Sequence, residues 1–198
     1  DRLRAGRRTG SALMTAAVDG LKALHDALRQ LPETGDNGFE GFVRDVVRHA
    51  LGRHLRLLKS GPQHGGDMVA DSRAGLPDLV IECKRYSGPL RFDSLQTKLQ
   101  EAVRERPDMD LWVIAATVDI NRQDLERLRK IAEGSSVAVE CLDWGAERGS
   151  ISSLAALCAK VPQLVEGWFP DLAADFKTTL GERQTEFERL GAVGLARL

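Results

Sequence analysis

The stretch Leu79-Val80-Ile81-Glu82-Cys83-Lys84 constrains this chain more than any other. Leu79, Val80 and Ile81 form an apolar run bounded by Pro77 on one side and Ser87-Gly88-Pro89 on the other, the pattern of a buried strand. Side chains alternate along a strand, so Glu82, Lys84 and Tyr86 share one face while Ile81, Cys83 and Arg85 share the other. A carboxylate and an ammonium at the end of such a strand are costly near a core unless they are paired or used.

The preceding stretch, Gly65-Gly66-Asp67-Met68-Val69-Ala70-Asp71, completes a β-hairpin if the turn lies in Ser72-Arg73-Ala74-Gly75-Leu76. Residues equidistant from about Gly75 then face each other, which puts Asp67 opposite Cys83, between Glu82 and Lys84. Asp71 and Asp78 fall nearer the turn, roughly 13 Å from that point at ~3.4 Å per residue. Asp67, Glu82 and Lys84 are therefore expected to cluster, and Asp78 is expected to stand apart. Two carboxylates at oxygen-ligand distance suit a hard cation such as Mg²⁺, with the Cys83 backbone carbonyl as a further ligand. A lysine beside such a cation can orient or deprotonate a water whose pKa the cation has already lowered.

The flanking pattern is helical and then alternates. From Ser11 to Leu31, Met14, Ala17, Val18, Leu21, Leu24, Leu28 and Leu31 recur at three- and four-residue steps until Pro32. His25 lies near that stripe and reads as a packed or exposed histidine. A second helix follows Asn37-Gly38-Phe39-Glu40, with Phe39, Phe42, Val43, Val46 and Val47 inward; Asn37 and Glu40 have the spacing of a capping box. Arg44, Arg48, Arg53, Arg56 and Lys59 give it a basic surface that suits phosphate or plain solvation. Leu57-Leu58 reads as a short strand before a glycine-rich loop carrying His64, a lesser candidate for substrate contact. After the hairpin, Asp93-Ser94-Leu95-Gln96 has a second capping-box pattern, and Gln96 and Gln100 share a face of the helix it opens. Leu111 to Ala116 is a buried strand, Asn121 leads a helix ending at Gly134, and Val137 to Leu142 is the last strand. Strands alternating with helices imply crossovers, hence an α/β fold with a mixed central sheet flanked by helices.

The helix-borne Gly38-Phe39-Glu40, then Gly66-Asp67, then Ile81-Glu82-Cys83-Lys84-Arg85-Tyr86, resemble the PD-(D/E)xK nuclease superfamily and, within it, the Mrr-like branch. The resemblance spans Asn37 to Trp144. It implies a restriction-endonuclease-like αβββαβ core, Asp67 and Glu82 as metal ligands, Lys84 serving the attacking water, and Glu40 supporting the metal shell from its helix. It also implies Mg²⁺, with Mn²⁺ able to substitute, a DNA substrate that is most simply a duplex, and a homo-oligomer for double-strand cutting. Mrr-like domains often act as effectors fused to sensor or NTPase domains in prokaryotic antiviral defence. The start at Asp1 without Met and the abrupt stop at Leu198 fit a piece of such a fusion. The expected division is 1–36 as an N-terminal arm and helix, 37–145 as the nuclease core, and 146–198 as a helical extension or linker. Two other readings compete: a catalytically inactive nuclease-fold module for nucleic-acid binding or assembly, and an α/β domain where Glu82 and Lys84 are only an ion pair.

Charge is divided unevenly. Residues 1–98 carry 16 Lys and Arg against 12 Asp and Glu, whereas residues 99–198 carry 12 against 17, so the half with the candidate site is the basic one. That is compatible with a polyanionic substrate and equally with a random scatter of surface charge. The arm with Arg2, Arg4, Arg7 and Arg8 reads first as a solvated tail and second as a phosphate contact. Cys83, Cys141 and Cys158 are odd in number and lack a CxxC pattern, which fits a reducing compartment. With no signal-like apolar segment at the start and no apolar run of membrane length, the cytoplasm is the expected location.

Overall fold

Strands β1 (Leu55–Leu57), β2 (Met68–Ala70), β3 (Leu79–Lys84), β4 (Leu111–Ala116) and β5 (Ala138–Leu142) form one mixed sheet in the order β1-β2-β3-β4-β5. The short links around β1, β2 and β3 leave room only for antiparallel pairing. Two helical crossovers make β3, β4 and β5 parallel: α3 (Phe92–Glu105) and α4 (Arg122–Glu133). The computed structural model describes residues 9–58, 66–70, 76–145 and 152–195, with side chains from residue 20 to residue 189. The arginine-rich arm, Lys59, His64, Asp71 and the hairpin turn lie outside the described residues.

All six residues of β4 are buried, as is β3 up to Cys83, because helices cover both faces of the sheet. Leu79, Ile81, Cys83, Leu111, Val113 and Ala115 face α1 (Thr9–Gln30) and α2 (Phe39–Leu51), meeting Leu24, Leu28, Phe42 and Val46. Val80, Trp112, Ile114 and Ala116 face Leu95 and Leu99 of α3 and Leu128 of α4. The apolar stripes seen in the sequence are the stripes that cover the sheet.

Helix starts depart from the expected caps. Gly38, not Asn37, is the N-cap of α2, and no side chain caps it. The loop before it folds tightly onto the helix: Phe39 N–H donates to the Pro32 carbonyl at 2.8 Å, and a Cβ at Gly41 would lie 2.0 Å from the Asp36 carbonyl oxygen. Glycine is required there by the backbone's close approach. Helix α3 starts one residue before Asp93, with Arg91 as N-cap and no side-chain cap bond. Asn121 does cap α4, accepting from Gln123 N–H at 2.8 Å.

After β5 come α5 (Ser153–Lys160), α6 (Pro162–Trp168), a 3₁₀ turn (Pro170–Leu172), α7 (Ala173–Glu182) and α8 (Gln184–Leu195). Helices α7 and α8 are separated at Arg183, whose φ of −119° and ψ of 22° leave the helical region. These helices pack on the α2 side of the sheet. Leu154, Leu157, Val165 and Phe176 join the α1–α2 core, and Phe42 meets Trp168 and Phe169 at ring distances of 5.5 and 5.6 Å. Among the described residues, no helix is long and apolar enough to cross a membrane.

Candidate active site

The hairpin register differs by one residue from the expected one. Met68 pairs with Ile81 and Val69 with Val80, so continuing the ladder would set residue 67 against Glu82 rather than Cys83. Asp67 does not continue it evenly. Its N–H donates to the Ile81 carbonyl at 2.9 Å, so Asp67 and Met68 both address Ile81, the arrangement of a β-bulge. The bulge turns the Asp67 carboxylate onto the backbone of β3, where Oδ2 accepts from Cys83 N–H at 2.6 Å. The carboxylate thus reaches Cys83, although the backbone pairing sits one residue away. On the other side, the Asp67 carbonyl accepts from Leu58 N–H at 2.8 Å. Gly66 lies so close to β3 that a Cβ would be 2.3 Å from Val80 Cγ1.

Glu82 and Lys84 project from the Val80 face, as strand alternation requires. The Lys84 ammonium donates to Glu82 Oε1. Glu82 is 1% exposed, and the Lys84 side chain 12%. Burial raises the Glu82 carboxyl above its usual range, and the Asp67 charge pushes it further; Lys84 pulls it back without restoring it. Burial likewise raises Asp67, against the hydrogen bond from Cys83 and the charge of Lys84. For Lys84, burial opposes the charged form, but the Glu82 and Asp67 carboxylates outweigh it and hold the ammonium above its usual pKa. Lys84 is therefore a firmly protonated cation between two carboxylates that lack full compensation.

Glu40 lies in α2 and does not form the expected capping box. Its Oε2 accepts from Gly35 N–H at 3.1 Å, tying down the preceding loop. Burial raises its carboxyl, the Gly35 bond opposes that, and the charges of Asp67 and Lys84 act on it from the site. Glu40 thus shares the site's electrostatic field while one of its oxygens is committed to the loop. Asp78 stands at the opposite end of β3, its N–H donating to Asp110 Oδ2 at 2.7 Å. Cys83 is a free cysteine whose thiol is pushed well up by burial, so the side chain is chemically quiet.

The backbone of β3 also presents an oxygen. Ile81 uses its carbonyl on the β2 side, and two residues on, Cys83 uses its N–H on that side for Asp67. The Cys83 carbonyl shares that direction by the strand's two-residue period, whereas the Lys84 carbonyl accepts from Thr117 N–H on the β4 side at 3.1 Å. Two buried, under-compensated carboxylates and this carbonyl make an oxygen donor set that fits Mg²⁺ or Mn²⁺. Among the described residues, no group of three or more His, Cys, Asp or Glu side chains is arranged to hold a metal. No protein-family model matches the chain, and no curated protein matches its sequence.

Two long-range features escaped sequence reasoning. Thr117 is fully buried beyond β4, where its hydroxyl donates to the Tyr86 carbonyl at 2.9 Å and accepts from Tyr86 N–H at 3.0 Å. It thereby fixes the chain just after Lys84. His25 is buried, its Nε2 lies 2.6 Å from the Thr117 carbonyl, and its ring stacks on Trp144 at 5.3 Å. A threonine following an apolar strand and a histidine in a leucine stripe give no local signal of such pairing. The basic surface expected of α2 is partly consumed: Arg44 pairs with Asp36 and Asp45, and buried Arg53 donates to the Pro77 carbonyl at 2.8 Å.

Proposed function

We propose that this chain is a metal-dependent nuclease of restriction-endonuclease-like fold, of the Mrr-like branch of the PD-(D/E)xK superfamily, hydrolysing phosphodiester bonds in duplex DNA. The observation that carries the reading is the meeting of Asp67, Glu82 and Lys84 at the end of β3, with two carboxyls raised by burial, Glu82 further by the charge of Asp67, around one ammonium. A folded chain gains no stability from such a cluster, whereas a site for a cation and a phosphate needs it.

Asp67, Glu82 and the Cys83 carbonyl would hold Mg²⁺ or Mn²⁺, which when bound supplies Lewis-acid activation of the phosphate and of water. Lys84 acts as a donor. Its ammonium, favoured by the Glu82 and Asp67 carboxylates, orients the attacking oxygen and offsets the negative charge that grows on the phosphate. Asp67 is held for its task by the Cys83 N–H and by backbone bonds to strands on both sides. Glu40 adjusts the site's charge from α2. Water attacks phosphorus and gives up a proton to solvent, and the P–O bond to the departing sugar oxygen breaks as that oxygen takes a proton from solvent, leaving a phosphomonoester and a sugar hydroxyl.

The test is cleavage of supercoiled plasmid with Mg²⁺ or Mn²⁺, comparing the wild type with Lys84→Ala and with an EDTA control. Nicking or linearisation should disappear in EDTA and fall about 10²-fold or more in the variant, the cost of losing a transition-state donor. A wild type inert on plasmid, single-stranded DNA and RNA, with no metal-dependent rise in melting temperature, would leave the nucleic-acid-binding or assembly module as the better reading. Cutting of both strands calls for two sites, so we also propose a homo-oligomer; sedimentation showing only monomer during efficient duplex cutting refutes it. The setting proposed is an antiviral defence protein in the cytoplasm, with this chain as its effector part.

A further inference from the structure

Helix α3 lies across the face of the sheet that carries Glu82 and Lys84. Its buried stripe is Leu95, Leu99 and Ala102, packed with Val69 and Val80. At about 100° per residue, Phe92 and Gln96 fall on one side of that stripe, and Lys98 and Glu101 on the other. The Phe92 side faces α4, because the Arg127 guanidinium sits 3.7 Å from the centre of the Phe92 ring. The Lys98 side therefore faces the other way. In the strand order β2 lies on the opposite side of β3 from β4, so that is the β2–β3 edge where Asp67 meets Cys83. Lys98 is half-buried and pairs with Glu101 at 3.1 Å. Its charge acts on both Asp67 and Glu82, drawing their carboxyls down against burial.

We propose that Lys98 is a second phosphate-contacting residue of this site, held by Glu101 until a nucleic-acid strand takes its place. The proposal rests on the nuclease reading above. Three carboxyls, those of Asp67, Glu82 and Glu40, share a field with the single ammonium of Lys84, so an approaching phosphate meets net repulsion. A second cation beside them lowers that barrier. The bond to Glu101 is easily exchanged: an i,i+3 ion pair on a helix is weak, and a charge-assisted bond to phosphate is stronger. The i,i+3 spacing keeps the ammonium close to the site when it is empty.

The experiment is binding of a fluorescent DNA duplex in EDTA across a salt series, for the wild type, Lys98→Met, Lys98→Arg, Glu101→Gln and Lys130→Met. The last removes an exposed lysine from α4 and serves as the control for charge alone. Lys98→Met should make the slope of log affinity against log salt shallower by about 0.9, which is about eight-fold weaker binding at 0.1 M salt relative to 1 M. Lys98→Arg and Lys130→Met should keep the wild-type slope, and Glu101→Gln should bind at least as tightly. In cleavage with Mn²⁺, the Lys98→Met loss should fall mainly in KM. Unchanged slope and KM in Lys98→Met, in a wild type that binds and cuts, overturn the assignment while leaving the nuclease reading intact. An equal loss in Lys130→Met overturns it as well. A wild type that neither binds nor cuts DNA or RNA overturns both.

Discussion

Replacing Lys84 by Met tests whether the cluster is as buried and as under-compensated as its geometry says. Met keeps the length of the side chain and removes its charge. Glu82 is 1% exposed and Asp67 lies beside it, so the variant holds two carboxyls with no ammonium between them. Removing one partner of a buried ion pair costs about 3–5 kcal/mol, and the Cys83 N–H that still serves Asp67 places this case near the lower figure, about 3 kcal/mol. For a chain of this length that is a fall of about 6–12 °C in melting temperature. The loss has a pH signature. The folded variant relieves itself by keeping a proton on the pair, so its carboxyl pKa lies above the unfolded value. A group raised in this way binds more protons folded than unfolded, and stability then falls as pH rises from the unfolded carboxylate range through the folded pKa. The deficit against the wild type should therefore be small at pH 5 and full at pH 8, in EDTA. Glu82→Gln gives the contrast: it removes the most buried carboxylate and leaves Lys84 facing Asp67, so it should stay within about 1 kcal/mol of the wild type. Thermal or urea denaturation of the three proteins at both pH values measures this. A Lys84→Met protein as stable as the wild type at pH 8, or a deficit independent of pH, refutes the reasoning.

Other outcomes follow from particular contacts. The wild type without metal should itself be more stable in mild acid than at neutrality as far as Asp67, Glu82, Glu40 and Asp143 decide it, since burial raises all four; urea titrations that show stability from these groups increasing with pH would contradict their placement. Glu40→Gln keeps an oxygen for Gly35 N–H and should melt within about 1 kcal/mol of the wild type, yet require more Mn²⁺ for half-maximal cleavage; an unchanged metal requirement would leave Glu40 only its loop role. Gly66→Ala drives a methyl group into Val80 and should cost about 1–3 kcal/mol, with cleavage falling too because Asp67 is the next residue. Thr117→Val leaves the Tyr86 N–H and carbonyl without their buried partner and should cost about 1–3 kcal/mol in urea denaturation.

What the sequence reveals and what it hides follow from the range of the forces involved. Strands β3 and β4 are legible because both of their faces are buried, which leaves continuous apolar runs such as Leu111 to Ala116. Helices α2, α3 and α4 are legible because each buries one stripe. The hairpin register differs by one residue because the pairs Met68–Ile81 and Val69–Val80 are centred half a residue before Gly75, a centre that residue types alone do not fix; the bulge at Asp67 and Met68 is a further departure. Side chains of Asn37 and Asp93 suggested capping boxes, but the starts of α2 and α3 are set elsewhere, for α2 by backbone packing of Gly38 and Gly41 against the Thr34 and Asp36 carbonyls. At α2 the close approach of the preceding loop, open only to glycine, overrode the side-chain cap.

The same bulge accounts for why the cluster of Asp67, Glu82 and Lys84 could be expected despite the register error. An uninterrupted ladder would set Asp67 beside Glu82 with its side chain on the Val80 face, two like charges held side by side. The bulge instead gives the Asp67 carboxylate a backbone donor at Cys83 and leaves Glu82 to Lys84. Each carboxylate then has one strong partner, and burial still lifts both pKa values, with the Asp67 charge lifting Glu82 further. Residue types at hairpin spacing are enough to bring these groups to one end of β3. The division of partners among them depends on one extra residue in the strand, and the placement of the Lys98 ammonium depends on which side of α3 meets α4. Neither is written in any local pattern, and both set how much negative charge this end of β3 carries.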